Sequence, residues 1–242
     1  MMDMLVRHIG TLRRAVDSLQ SYYHDFNGNI VSPSHNAFHP YPTSFTTQDG
    51  VVKRFKYLSS MKGHNLFFGN IDDDGAVICV KFVTRYCEQA HRFLAEQLAP
   101  RLHVVERLPG GQYMVVMDDV SSDYISLFNF IQDNPVLLSK DNEGIHERFL
   151  ETVRDCLIQL HQEGLVHGDV RNTNIMVNAT GLHDLSFLLV DYDSGGEIRQ
   201  VRYPLDLNTS TVKRPEGAMG GAIVEVEHDL EMLNYIWDDC FL

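Results

Sequence analysis

A chain of 242 residues, 44% apolar and 22% charged, is long enough to bury a core as one domain or as two small lobes. Its 33 acidic residues against 20 basic ones give a net charge of −13. That argues against a nucleic-acid duplex or an anionic lipid surface as partner, since both require clustered Lys and Arg.

The opening MMDMLVRHIGTLRRAV is amphipathic and lacks the apolar core and cleavage site of a secretory leader. No apolar run reaches bilayer length. The expected location is intracellular and cytoplasmic. Leu5, Ile9, Leu12, Val16, Leu19, Tyr23 and Phe26 recur at spacings of four and three, which predicts a helix with one apolar face. That face either packs on the body of the protein or, across residues 5–26, makes a homodimer or meets a partner helix. Residues 27–50 lose periodicity and read as a long loop, in or near which His24, His35 and His39 have no metal-ligand spacing.

From residue 51 the pattern is β. Strands are predicted at Val51–Leu58, Asn65–Ile71 and Ala76–Val83, with Asp72-Asp73-Asp74-Gly75 as a hairpin turn rather than a calcium loop. A helix follows over 86–98, then strands at Leu102–Arg107 and Tyr113–Met117 around the turn Pro109-Gly110-Gly111. Beyond a hinge at 117–120 the character becomes helical. Helices are predicted at Ile125–Ile131 and Ile145–Glu163, the second stopped by Gly164. Short strands are expected near Leu165–Val166, Ile175–Val177 and Phe187–Val190, and a last helix over His228–Trp237. Cys79, Cys87, Cys156 and Cys240 stand singly in apolar stretches and read as buried reduced thiols. Asn178-Ala179-Thr180 and Asn208-Thr209-Ser210 match the glycosylation pattern by chance in such a chain.

The densest polar cluster is His167-Gly168-Asp169-Val170-Arg171-Asn172-Thr173-Asn174, just before an apolar strand. A second, Asp191-Tyr192-Asp193, ends the next apolar strand. Together they offer Asp169, Asn174 and Asp191 as hard oxygen groups of the kind a magnesium–phosphate complex requires. A loop carboxylate can also accept a hydroxyl proton during phosphoryl transfer.

The order H-x-D-x-x-x-x-N, then an apolar strand ending in D-Y-D about 17 residues after Asn174, resembles the protein-kinase-like superfamily. Val80-Lys81-Phe82 ends an upstream strand as the kinase lysine does. With His-Gly-Asp-Val-Arg and the late His-Asp-Leu-Glu-Met-Leu, the chain is most similar to the fungal-type protein kinase family. His-Gly-Asp is also similar to aminoglycoside and choline kinases. The resemblance covers about residues 51–242. It implies an α+β, bilobal fold: residues 1–50 as helix and loop, 51–119 as a β-rich N-lobe, 120–242 as a shortened, mainly helical C-lobe.

It further implies ATP and Mg2+ as cofactors and an enzyme that transfers the γ-phosphate to a hydroxyl of a protein Ser/Thr or of a small molecule. Lys81 would hold the α/β-phosphates, paired with Glu88 or Glu96. Asp169 would deprotonate the acceptor and Arg171 would neutralise the γ-phosphate. Asn174 and Asp191 would bind the metal. Ser60 and Gly63 would lie against phosphate, Met117 and Asp119 against adenine. His167 and Asp229 would brace the catalytic loop, and Asp193 would cap the turn or touch the metal. Four departures stand against this pattern. Residues 59–65 contain one glycine, Gly168 replaces the usual Arg, Asp193 replaces a Gly, and little chain follows the final helix. A non-catalytic pseudokinase acting as a binding module is the alternative.

Overall fold

The computed structural model describes residues 42–95, 97–135, 143–182 and 185–237, with residues 11, 13, 14, 16 and 17. The chain divides into one unit over Met1–Tyr41 and another over Pro42–Leu242. In the first, the described residues are helical and exposed, Val16 among them. The remainder of the predicted stripe over 5–26, the loop histidines 24, 35 and 39, Glu96 and Cys240 lie outside the described residues.

The second unit is α+β. Its first half is a six-stranded antiparallel sheet in the order β1-β2-β3-β4-β6-β5. The strands are β1 (Ser44–Thr46), β2 (Val52–Ser60), β3 (Leu66–Ile71), β4 (Val77–Val83), β5 (Leu102–Arg107) and β6 (Tyr113–Asp118). β1 falls inside the stretch predicted as loop. It is only three residues long, too short for a period-two pattern to show, and it pairs Phe45 with Lys53 and buries its ring. Period-two alternation splits β4 between two cores. Ile78, Val80 and Phe82 join Phe45, Phe55, Ile71, Met114 and Val116 on one face. Cys79 and Val83 join Leu102, Val115 and Met117 on the other. Lys81 lies between Cys79 and Val83 on that second face, in the middle of a buried strand.

Helix α1 (Glu88–Leu94) is shorter than the predicted 86–98. Past Leu94 the chain turns, and Ala95 bridges Ala99 in place of another helical turn. The second half holds α2 (Leu127–Asp133), α3 (Glu143–Gln162) and α4 (Val226–Leu233). It also holds a three-stranded sheet β10-β9-β7, from β7 (Tyr124–Ser126), β9 (Ile175–Asn178) and β10 (Phe187–Leu189), and the pair β8 (Leu165–Val166) with β11 (Gly196–Glu197). The helix predicted over Ile125–Ile131 is thus split. Ile125 pairs with Val177 in β7, and Ser126 then caps α2 by accepting from the Asn129 N–H at 3.2 Å. The last helix ends at Leu233, with turns continuing to Trp237. Phe149, Val153, Cys156, Leu157 and Leu160 form the buried face of α3, as their spacing predicts. Cys79, Cys87 and Cys156 are buried free thiols, and burial pushes Cys79 and Cys156 up to about 12. No described helix is long and apolar enough to cross a membrane.

One contact joins α1 to the second half and sets a pH response. His91 is buried and stacks on Tyr192 with ring centroids 4.8 Å apart. Its Nε2 lies 2.7 Å from the Pro100 carbonyl and its Nδ1 2.6 Å from the Tyr86 hydroxyl, which fits a neutral ring donating from Nε2. Burial pushes it from its ordinary 6.5 down to about 4. A depressed folded value means this contribution to stability is complete above pH 6.5 and is lost as pH falls towards 4. The loss amounts to about 3 kcal/mol. Denaturant titrations from pH 7 to 4 should show that decline, and His91→Gln should flatten it. An unchanged slope in the variant would rule His91 out as its source.

Candidate active site

The two polar clusters meet because β9 and β10 are antiparallel neighbours. Ile175 pairs with Leu189, so the loop before β9 and the loop after β10 emerge at the same sheet end. The Val190 N–H donates to the Asn174 carbonyl at 3.0 Å, setting Asp191 beside Asn174. The pair β8–β11 does the same one step earlier, matching Val166 with Gly196. That register brings Gly168 against Ser194. A Cβ at Gly168, whose φ is +78°, would stand 2.5 Å from the Ser194 carbonyl oxygen, so only glycine fits.

The loop 167–174 is tied down from below. Asp229, 1% exposed, accepts from the N–H groups of His167 at 2.8 Å and Gly168 at 2.7 Å. It also meets His161 Nε2 at 3.0 Å. His167 Nδ1 accepts from the Asp169 N–H at 3.3 Å, so its Nε2 is the donor to the Val190 carbonyl at 3.2 Å. The bracing roles expected of His167 and Asp229 correspond to these bonds.

Asp169 stands at the centre. Its Oδ2 accepts from Asn174 Nδ2 at 2.8 Å and Arg171 Nε at 3.1 Å, and its Oδ1 from Arg214 Nη1 at 2.7 Å. Arg214 carries no sequence signal. It lies in an aperiodic segment far along the chain, and only the tertiary fold brings it here.

Lys81 reaches across from β4. Its Nζ is 2.8 Å from both Asp191 Oδ1 and Asp193 Oδ1. The approach to Asp191 is the better directed as a hydrogen bond, and Asp193 Oδ1 is held by the ammonium as an ion pair. Burial opposes every charge in this triad. The two carboxylates nevertheless hold Lys81 above its ordinary value, and the ammonium holds Asp191 below its own. Asp193 is left over: burial, then the Asp191 charge, push it up to about 6. Asp191 adopts a φ of +72°, a strained backbone for a residue with a side chain. Tyr192, wholly buried behind it, and the Lys81 ion pair hold it there.

Other expected site residues stand apart from this centre. Glu88 pairs with Arg92 Nε at 2.7 Å, one helical turn on, and Lys81 takes Asp191 and Asp193 as its partners instead. Asp193 thus stands in the Lys81 ion pair. Ser60 ends β2 and is exposed, as is Gly63 at a φ of +83°. Their hairpin is closed by Met61 N–H to the Leu66 carbonyl and His64 N–H to the Met61 carbonyl, so two of its amides are spent within the turn. The Met117 side chain is buried in the sheet core, and the Asp119 N–H donates to the Val77 carbonyl at 3.2 Å. Asn208 and Asn178 hold their own loops: Asn208 Nδ2 donates to Thr211 Oγ1 at 2.7 Å, and Asn178 Oδ1 accepts from the Thr180 N–H at 2.9 Å.

The donor set suits a small hard cation. Asp191 and Asp193 offer carboxylate oxygens, and Asn174 Oδ1 accepts a long 3.3 Å bond from the Thr173 hydroxyl. Two carboxylates facing one ammonium leave a net negative charge. Among the described residues no cluster of three or more His, Cys, Asp or Glu forms a protein-only metal cage. Magnesium is usually held by one or two carboxylates with phosphate and water completing its shell.

No family model matches the chain. Over 109 residues it is 28% identical to serine/threonine-protein kinase pim-2 of Danio rerio. That match covers 45% of this chain and 33% of the kinase, a distant and partial likeness to a protein kinase.

Proposed function

We propose that the chain is an ATP- and Mg2+-dependent phosphotransferase of protein-kinase-like, bilobal build that moves the γ-phosphate to a hydroxyl, with protein Ser/Thr as acceptor. The observation that carries this reading is the convergence on one site of Lys81 from the sheet, Asp169 and Asn174 from one loop and Asp191 from the next. Lys81 holds the α/β-phosphates. Asp169 orients the acceptor hydroxyl and takes its proton, and Arg171 beside it faces the γ-phosphate. Asn174 and Asp191 hold magnesium, which when bound neutralises phosphate charge. The partial likeness to a kinase named for serine and threonine favours a protein acceptor over a small alcohol.

ATP with magnesium should raise the melting temperature more than ATP alone. Binding to the folded state stabilises it by about 2.7 kcal/mol at a hundredfold excess over Kd. Asp191→Asn should abolish the magnesium-dependent part. An unchanged magnesium response in that variant would sink the metal assignment. A second reading, a non-catalytic binding module, draws support from Lys81 being already paired with two aspartates and from the amides spent in the 59–65 turn. It demands no phosphotransfer and no ATP hydrolysis.

A further inference from the structure

We infer that Arg214 is a positioning residue for Asp169, tying the segment after β11 to the catalytic loop by a fixed charge that needs no phosphorylation. The inference rests on the phosphotransferase reading. A carboxylate offers about four acceptor directions. Asp169 Oδ2 has both of its own filled, by Arg171 and Asn174. Oδ1 accepts from Arg214 alone among the described residues, which leaves one direction on that oxygen for an incoming hydroxyl. Arg214 thereby fixes the plane of the carboxylate and the direction in which its open lone pair points.

Arg214 is itself held. Its side chain is 7% exposed, against 12% for Asp169, and its Nε donates to the Asn208 carbonyl at 3.3 Å. Asn208 in turn organises the loop, its Oδ1 accepting from the N–H groups of Ser210 and Thr211, both at 3.1 Å. The guanidinium is delivered by a short closed loop, not by a free chain end. A tie that depends on a phosphate would run the other way, from a cation on the catalytic loop to an anion on the segment. At Gly168 the Ser194 carbonyl leaves no room for a side chain, and the loop's own cation, Arg171, is already turned onto Asp169 Oδ2. The cation sits on the segment and the anion on the loop, and both are permanent.

The test is steady-state phosphotransfer, or ATP hydrolysis, by the full chain and by Arg214→Ala, Arg214→Lys and Asn208→Ala. Misplacing a catalytic group by about 1 Å can cost roughly 10²-fold. Arg214→Ala should therefore lower kcat by roughly tenfold to a hundredfold, with the KM for ATP nearly unchanged. Ethylguanidinium chloride should restore part of the rate, while sodium chloride at equal concentration should not. Arg214→Lys keeps the buried charge, but its single nitrogen cannot stand at both the Nε and the Nη1 positions that meet Asn208 and Asp169, so an intermediate kcat is expected. Asn208→Ala loosens the loop without touching the pair and should lower kcat modestly. Folded Arg214 variants with the parent's kcat, or a faster one, would overturn the inference while leaving the phosphotransferase reading intact. A parent with no turnover removes that reading, and this inference with it, before any variant is compared.

Discussion

Replacing Asp229 with alanine is expected to destabilise the protein by about 3–5 kcal/mol and lower its melting temperature by about 10 °C. The carboxylate is 1% exposed and accepts from two backbone N–H groups, those of His167 and Gly168. Alanine leaves both donors buried without an acceptor, at a cost of about 1–3 kcal/mol each. It also removes the partner of His161 Nε2. Asp229→Asn keeps one carbonyl oxygen but turns an NH2 towards a second donor, so about half the loss is expected. The same bonds set the height of the loop 167–174 on α4, so any activity should fall further than stability alone explains. Chemical denaturation of parent and variants checks the first claim. A loss under about 1 kcal/mol for the alanine variant would show that the loop is held by other contacts.

Much of this arrangement was legible in the sequence, for reasons specific to the elements. Helix α3 is long, and its spacing marks its one buried face. β3 to β6 are runs of six or seven residues bounded by turns, and β4 and β6 are buried on both faces, so apolar β-type composition between turn signals identifies them more than alternation does. β1, β7 and β11 are two or three residues long and carry no period of their own, so only pairing to a neighbour makes them strands. The loops around Asp169 and Asp191 stood out because polar residues are dense there between apolar strands, and a hairpin register brings such loops together. The partners of each charge were less legible. Glu88 one turn from Arg92 satisfies a helix-local pairing, which competes with any reach to Lys81 and wins in this structure. Arg214 meets Asp169 through a fold-level closure that no local spacing encodes.

Asp169→Asn is expected to lower phosphotransfer by roughly 10²–10⁴-fold, the usual contribution of a positioned general base. The amide matches the carboxylate in size but carries neither the charge nor the second acceptor oxygen. That difference reaches past chemistry, because three donors point at this group: Arg171 Nε, Asn174 Nδ2 and Arg214 Nη1. Whichever way the amide turns, its NH2 faces a donor. Arg214, 7% exposed, loses its counter-charge. Removing one partner of a buried pair costs up to about 3–5 kcal/mol, so the variant should also melt lower than the parent. The rate must therefore be compared at a temperature where both proteins are folded, with ATP binding measured on the same samples. On the proposed reading ATP affinity should be nearly intact, because Asp169 would face the acceptor and Lys81 the nucleotide. Lys81→Ala should show the reverse split, weakening the nucleotide pose and leaving Asp191 and Asp193 to repel one another at close range. A folded Asp169→Asn protein that binds ATP and turns over as fast as the parent would remove Asp169 from the role of base. If neither protein binds or turns over ATP, with protein and small-alcohol acceptors alike, the chain is a binding module and the two arginines around Asp169 hold structure alone.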